Sequence, residues 1–161
     1  RVDIEKLKVP EYAPVTVKKI LVPLRGGGSD DMVQFASRLA KVQNAELTAL
    51  YVIEITHSLP LDTFFPEKLA AADSVMERAE AIGHEYDLAI DTQVKQARFA
   101  GEAIVELARN EQFDIVFLGA RPQALSSAPG RTSFGTTVEY VVRHAPCRIW
   151  IFTGKETTPR V

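Results

Sequence analysis

Cysteine is almost missing from this chain, with Cys147 standing alone among 161 residues. A single thiol excludes an internal disulfide and any metal site built on several cysteines, and it fits a reducing, cytoplasmic setting. Histidine is scarce too, because His57, His84 and His144 are scattered without metal-ligand spacing. None of them has a nucleophile at a defensible spacing, so no acid, base or nucleophile set can be named and enzymatic activity is not expected. An excess of one charge is also lacking: 19 basic against 21 acidic residues leave a net charge of −2. That balance gives no global field for nucleic acid or an anionic membrane. No apolar run approaches the roughly 18 residues of a membrane span, and no charged-then-apolar signal peptide opens the chain. The first residue is Arg1 rather than methionine, as in an excised domain or a processed product.

With 46% hydrophobic and 25% charged residues, the chain has the composition of a soluble globular protein and the length of one domain. Residues 1–17 hold Pro10 and Pro14 and no sustained period, so they read as an extended lead-in or linker. The domain proper spans 18–153, and the polar residues 154–161 form a tail expected to be disordered. Ile20 to Leu24 form a buried first strand in which Pro23 marks the end. The next helix carries Met32, Phe35, Ala36, Leu39 and Ala40 on one face, with Ser29 or Asp30 as its cap. Residues 46–54 give the second strand, and Phe64 and Phe65 are expected to tuck under the following helix. That helix runs from about Leu69 to Ile82 and stops at Gly83, read as a left-handed cap. A weaker third strand covers Leu88 to Val94, and a third helix covers Ala100 to Asn110 with Ile104, Leu107 and Ala108 inward.

The most informative stretch runs from Phe113 to Ile151. Ile115 to Leu118 is a continuous apolar run ended by Gly119, as expected for a strand covered on both faces. Thr136 with Glu139 three residues later has the capping-box pattern, and Val138, Val141 and Val142 follow at helical spacing until His144-Ala145-Pro146. Arg148 to Phe152 is the fifth strand. Strands and helices therefore alternate, which predicts an α/β fold with an open parallel sheet and helices on both faces. Ligands in such sheets bind beyond the carboxyl ends of the strands, where strand order reverses. Two glycine-bearing loops leave such ends, Arg25 to Ser29 and Gly119 to Thr136, and they face one crevice if the first and fourth strands are neighbours. A loop of small polar residues feeding a helix amino end suits phosphate, although an ordinary strand-to-helix connection has the same composition.

Lys19-Ile20-Leu21-Val22-Pro23, Leu50-Tyr51-Val52, Asp114-Ile115-Val116 before Gly119 and, most specifically, Val142-Arg143-His144-Ala145-Pro146-Cys147 resemble the universal stress protein family. The resemblance covers about residues 18–153 and implies a Rossmann-like sheet ordered 3-2-1-4-5. It also implies frequent dimerisation through the last strand and, in one subgroup, an ATP site. That subgroup carries a Gly-x2-Gly-x9-Gly-Ser/Thr loop, an Asp after the first strand and a Val on the second. Here Gly119, Gly135-Thr136 and Val52 match, whereas Pro122 stands at the second glycine, residues 123–134 replace the nine-residue spacer, and Arg25 stands at the Asp. Proline offers no N–H, and arginine accepts no hydrogen bond from a ribose and holds no metal.

The expected ligand contacts are Pro23, Leu24, Arg25 and Gly26 after the first strand, with Val52 on the second. Gly119, Arg121, Gly130, Arg131 and Ser133, with Gly135, Thr136 and Thr137, complete the set on the long loop and the helix start. The expected ligand is ATP or another adenine nucleotide, bound without significant turnover and without magnesium held by the protein. The other reading is a dimeric interaction module without nucleotide, such as the cytosolic regulatory domain of a membrane transporter. In either case the apolar last strand, Ile149 and Ile151 above all, is expected to pair with a second copy.

Overall fold

The computed structural model describes residues 11–27, 29–121, 123–124 and 132–153. Its main sheet is built from β1 (Lys19–Leu24), β2 (Glu46–Glu54), β3 (Asp91–Ala97), β4 (Ile115–Gly119) and β7 (Arg148–Phe152). All pairings in it are parallel, in the order β3-β2-β1-β4-β7, so the order expected from the resemblance is the observed one. Four helices connect the strands: α1 (Asp30–Gln43), α2 (Pro66–Glu85), α3 (Ala100–Asn110) and α4 (Thr136–His144). A two-stranded antiparallel pair, β5 (Gln123–Ala124) with β6 (Thr132–Ser133), was not foreseen and ties together the two flanks of the long loop. Among the described residues no helix is long and apolar enough to cross a membrane.

The pleat explains why β1 and β4 read as unbroken apolar runs. Ile20, Val22 and Leu24 of β1, with Ile115 and Phe117 of β4, join Met32, Val33, Ala36, Met76 and Ala79 in a core under α1 and α2. The intervening Leu21, Val116 and Leu118 join Ile104, Leu107, Val138 and Val141 under α3 and α4. Each of these strands is covered on both faces, which removes the polar alternation of a half-exposed strand. Asp114, part of the family-like sequence, has a structural role here. Its Oδ2 accepts the N–H groups of Lys18 and Lys19 at 2.7 and 2.9 Å, holding the start of β1.

Several local expectations fail for identifiable reasons. Gly83 is not a left-handed cap but lies buried within α2, and the left-handed residue is Asp87, with φ 53°. Glycine is needed there for close packing, since a Cβ would lie 2.6 Å from Ile90 Cδ1 and 2.9 Å from the Leu88 carbonyl oxygen. The third strand begins three residues later than expected because it is a half-exposed edge, DTQVKQA, whose polar residues carry no clear period. Phe35 faces outward and packs its ring 5.4 Å from that of Phe152, and Val142 is likewise exposed. Of the two phenylalanines before α2, only Phe65 packs inward, against Ile53, Ile55 and Ala72, whereas Phe64 is exposed.

Candidate functional site

β1 and β4 are direct neighbours, so their carboxyl ends open side by side and the condition for one shared crevice is met. Pairing of Leu24 with Tyr51 puts Val52 one residue beyond the paired end of β1. Val52 packs on the α3–α4 core, and alternation from Leu21 puts Pro23 on that same face. Gly119 is the exposed last residue of β4, and the Ala120 N–H donates to the Phe152 carbonyl at 2.9 Å. A Cβ on Gly119 would meet only Met32 Cε and Sδ at 3.6 Å, ordinary contact, so packing does not require glycine there.

The amino end of α4 is built differently from the capping box that its sequence suggests. Gly135, not Thr136, is the N-cap, with φ 90° and ψ 165°. Glu139 Oε1 accepts the Ser133 hydroxyl at 2.7 Å, and Ser133 Oγ accepts the Gly135 N–H at 3.0 Å. Glutamate in the first turn favours the positive end of the helix dipole, so that end already carries a carboxylate. Thr136 is exposed and Thr137 is buried, which leaves Thr136 as the accessible hydroxyl of the pair. The structure thus brings Pro23, Val52, Gly119, Gly135 and Thr136 to one end of the sheet. Gly130 and Arg131 lie outside the described residues, as does Pro122, and Arg121 is exposed at the start of the long loop.

The loop after β1 also borders a second space. Leu24, Arg25, Gly27, Ser29 and Asp30 line a cleft of about 280 Å³ with Val33 of α1 and Val75, Arg78, Ala79 and Ile82 of α2. Leu24 belongs to the α1–α2 core, and Arg25 lines this cleft, whereas Val52 packs on the opposite face of the sheet. Gly26 is exposed beside them. The helix cap expected from Ser29 or Asp30 is absent: the Ser29 side chain makes no cap bond, and Asp30 instead accepts a forked pair from Arg78, with Nε at 2.7 Å and Nη2 on the other oxygen. Arg78 escaped the sequence reading because it lies 48 residues from Asp30 on another helix. Among the described residues no three carboxylate, histidine or cysteine side chains gather as a metal site.

Asp30 is held below its ordinary value of 3.8 chiefly by the Arg78 hydrogen bonds, opposed by burial and aided by the Arg78 charge. A depressed carboxylate contributes stability that is present above the unfolded value and is lost as pH falls through the folded one. Asp30→Asn should therefore show a shallower fall in melting temperature between about pH 5 and pH 2 than the parent chain. Equal slopes would mean that the ion pair contributes nothing. Cys147 is half-buried, and burial followed by the Asp114 charge pushes its thiol up, so it is a packing residue rather than a reactive thiolate.

An open five-stranded parallel sheet with a strand-order reversal at its centre defines an α/β domain of the doubly wound kind. The chain belongs to the universal stress protein family, whose pattern it matches over residues 16–153. Solved structures agree in fold. A universal stress protein in complex with cAMP superposes with a TM-score of 0.61 at 22% identity, over 88% of this chain and 100% of that one. The universal stress protein UspA from Lactobacillus plantarum gives 0.64 at 23% identity, over 86% and 99%. The universal stress protein from Archaeoglobus fulgidus in complex with dAMP gives 0.67 at 13% identity, over 85% and 98%. No curated protein matches the chain significantly in sequence.

Proposed function

We propose that this chain is a regulatory or sensor domain of universal stress protein type that binds an adenine nucleotide, or a similar phosphate ligand, without significant turnover. The observation that carries this reading is the pairing of β1 with β4, which sets the end of β1, with Pro23, and the end of β4 at Gly119 side by side near the amino end of α4. Relatives of the same fold whose structures hold cAMP and dAMP support an adenine ligand. Val52 and Pro23 offer an apolar wall for a base, while the Gly135 turn and Thr136 offer donors for phosphate at the positive helix end. Arg25 at the family's Asp position removes an acceptor, so magnesium is expected to arrive, if at all, with the nucleotide. A ligand at 100 times its Kd stabilises the fold by about 2.7 kcal/mol, so saturating ATP, AMP or cAMP should raise the melting temperature clearly. Prolonged incubation with ATP should release no more ADP than buffer does. Absence of any melting shift with all three nucleotides would count against the reading.

A second reading, a dimeric interaction module, is favoured by one observation. β7 is a sheet edge on which Trp150 and Ile151 are exposed, a surface that pairing with another β7 would cover. Replacing Ile151 by lysine should turn a dimeric species into a monomer in light scattering. A wild-type mass equal to one chain would remove the pairing.

A further inference from the structure

The cleft between α1 and α2 lies on the opposite side of the sheet from Val52 and shares only the loop after β1 with the proposed nucleotide site. Its floor is apolar: Leu24, Val33 and Ala79 are almost fully buried, and Val75 and Ile82 are half-buried at its side. Its rim is polar. Arg25 is exposed and carries no ion pair among the described residues, and the Ser29 hydroxyl makes no cap bond. Arg78 is neutralised by Asp30, so two guanidinium groups against one carboxylate leave the lining with a formal charge of +1. The forked Arg78–Asp30 pair also ties α2 to the start of α1, so the two walls are held together before any ligand arrives.

We propose that this cleft binds a small amphipathic monoanion, with its apolar body against Val75 and Ile82 above the floor of Leu24, Val33 and Ala79 and its carboxylate or phosphate at Arg25 and Ser29. The volume of about 280 Å³ lies just under the range of about 300–1,000 Å³ usual for small-molecule pockets, so the body is a short acyl chain or a single ring. Charge-assisted hydrogen bonds from a guanidinium select an anion over a neutral molecule of the same shape. Because the rim residues belong to the β1 loop, an occupant here would also steady one wall of the crevice on the other face.

Sodium hexanoate, with 1-hexanol as its neutral counterpart, is a direct probe, followed by NMR of the whole chain. Hexanoate should shift the signals of Val33, Val75, Ala79 and Ile82 saturably, and 1-hexanol should bind at least about threefold more weakly. Arg25→Gln, at an exposed position that should not disturb folding, should weaken hexanoate by a similar factor. Val75→Phe should fill the mouth and abolish the shifts while leaving the melting response to ATP unchanged, which separates this site from the nucleotide crevice. Hexanoate shifts that map elsewhere, equal binding of 1-hexanol, or an Arg25→Gln variant that binds like the parent would each overturn the proposal.

Discussion

Replacing Phe117 by alanine lowers the unfolding free energy by about 3–5 kcal/mol, the usual cost of emptying a fully buried aromatic position. Phe117 lies in the middle of β4, 1% exposed, and is the largest of the fully buried side chains among the described residues. Its ring stacks on that of Trp150 with centroids 5.1 Å apart and planes 19° apart, so it also supports the exposed edge strand. Truncation leaves a cavity between the central strands and α1 and loosens β7. Urea denaturation should show a lower midpoint with an unchanged slope, because the surface exposed on unfolding is nearly the same. A loss under about 1 kcal/mol would mean that the sheet and α1 close over the gap.

The second large effect belongs to Gly135. With φ 90° and ψ 165° it occupies a region that is essentially closed to residues with a Cβ, where strain costs about 1–3 kcal/mol. No neighbouring atom lies within 4 Å of the position a Cβ would take, so the penalty comes from the backbone and not from crowding. Gly135→Val should relieve it by rotating the turn, which moves the first N–H groups of α4 and breaks the Gly135 N–H bond to Ser133. Nucleotide affinity should fall by about tenfold or more, since charge-assisted bonds at a helix amino end depend on aimed N–H groups. The core should remain folded, with β1 and β4 still paired, so circular dichroism at ambient temperature should match the parent. Wild-type affinity in this variant would place the ligand elsewhere.

Much of this fold was readable because its central strands are covered on both faces. Ile20 to Leu24 and Ile115 to Leu118 are continuous apolar runs for that reason, and the punctuation at Gly119 and Pro146 marks true element ends. Legibility ends where environments are mixed. β3 is a half-exposed edge whose pattern cannot set its register, and Phe35 and Val142 are apolar without being inward. Gly83 looked like punctuation, but its lack of a side chain serves the packing of Ile90, which no local pattern reveals. The capping-box sequence failed because Ser133 reached Glu139 first, a contact made by the β6 segment that the sequence did not announce. Of the site, the strand ends near Pro23 and at Gly119 and the position of Val52 could be placed because parallel topology dictates where strand ends lie. The α1–α2 cleft could not, because Arg78 and Asp30 meet only through the packing of two helices.

Calorimetric titration of the whole chain with ATP, AMP and cAMP, run in parallel on Gly135→Val, tests the central claim most directly. The predicted result is saturable one-to-one heat with at least one adenine nucleotide on the parent chain and a Kd at least about tenfold weaker on the variant. No heat with any of the three at millimolar concentration, or equal affinities for parent and variant, would contradict a nucleotide site in the crevice between the ends of β1 and β4.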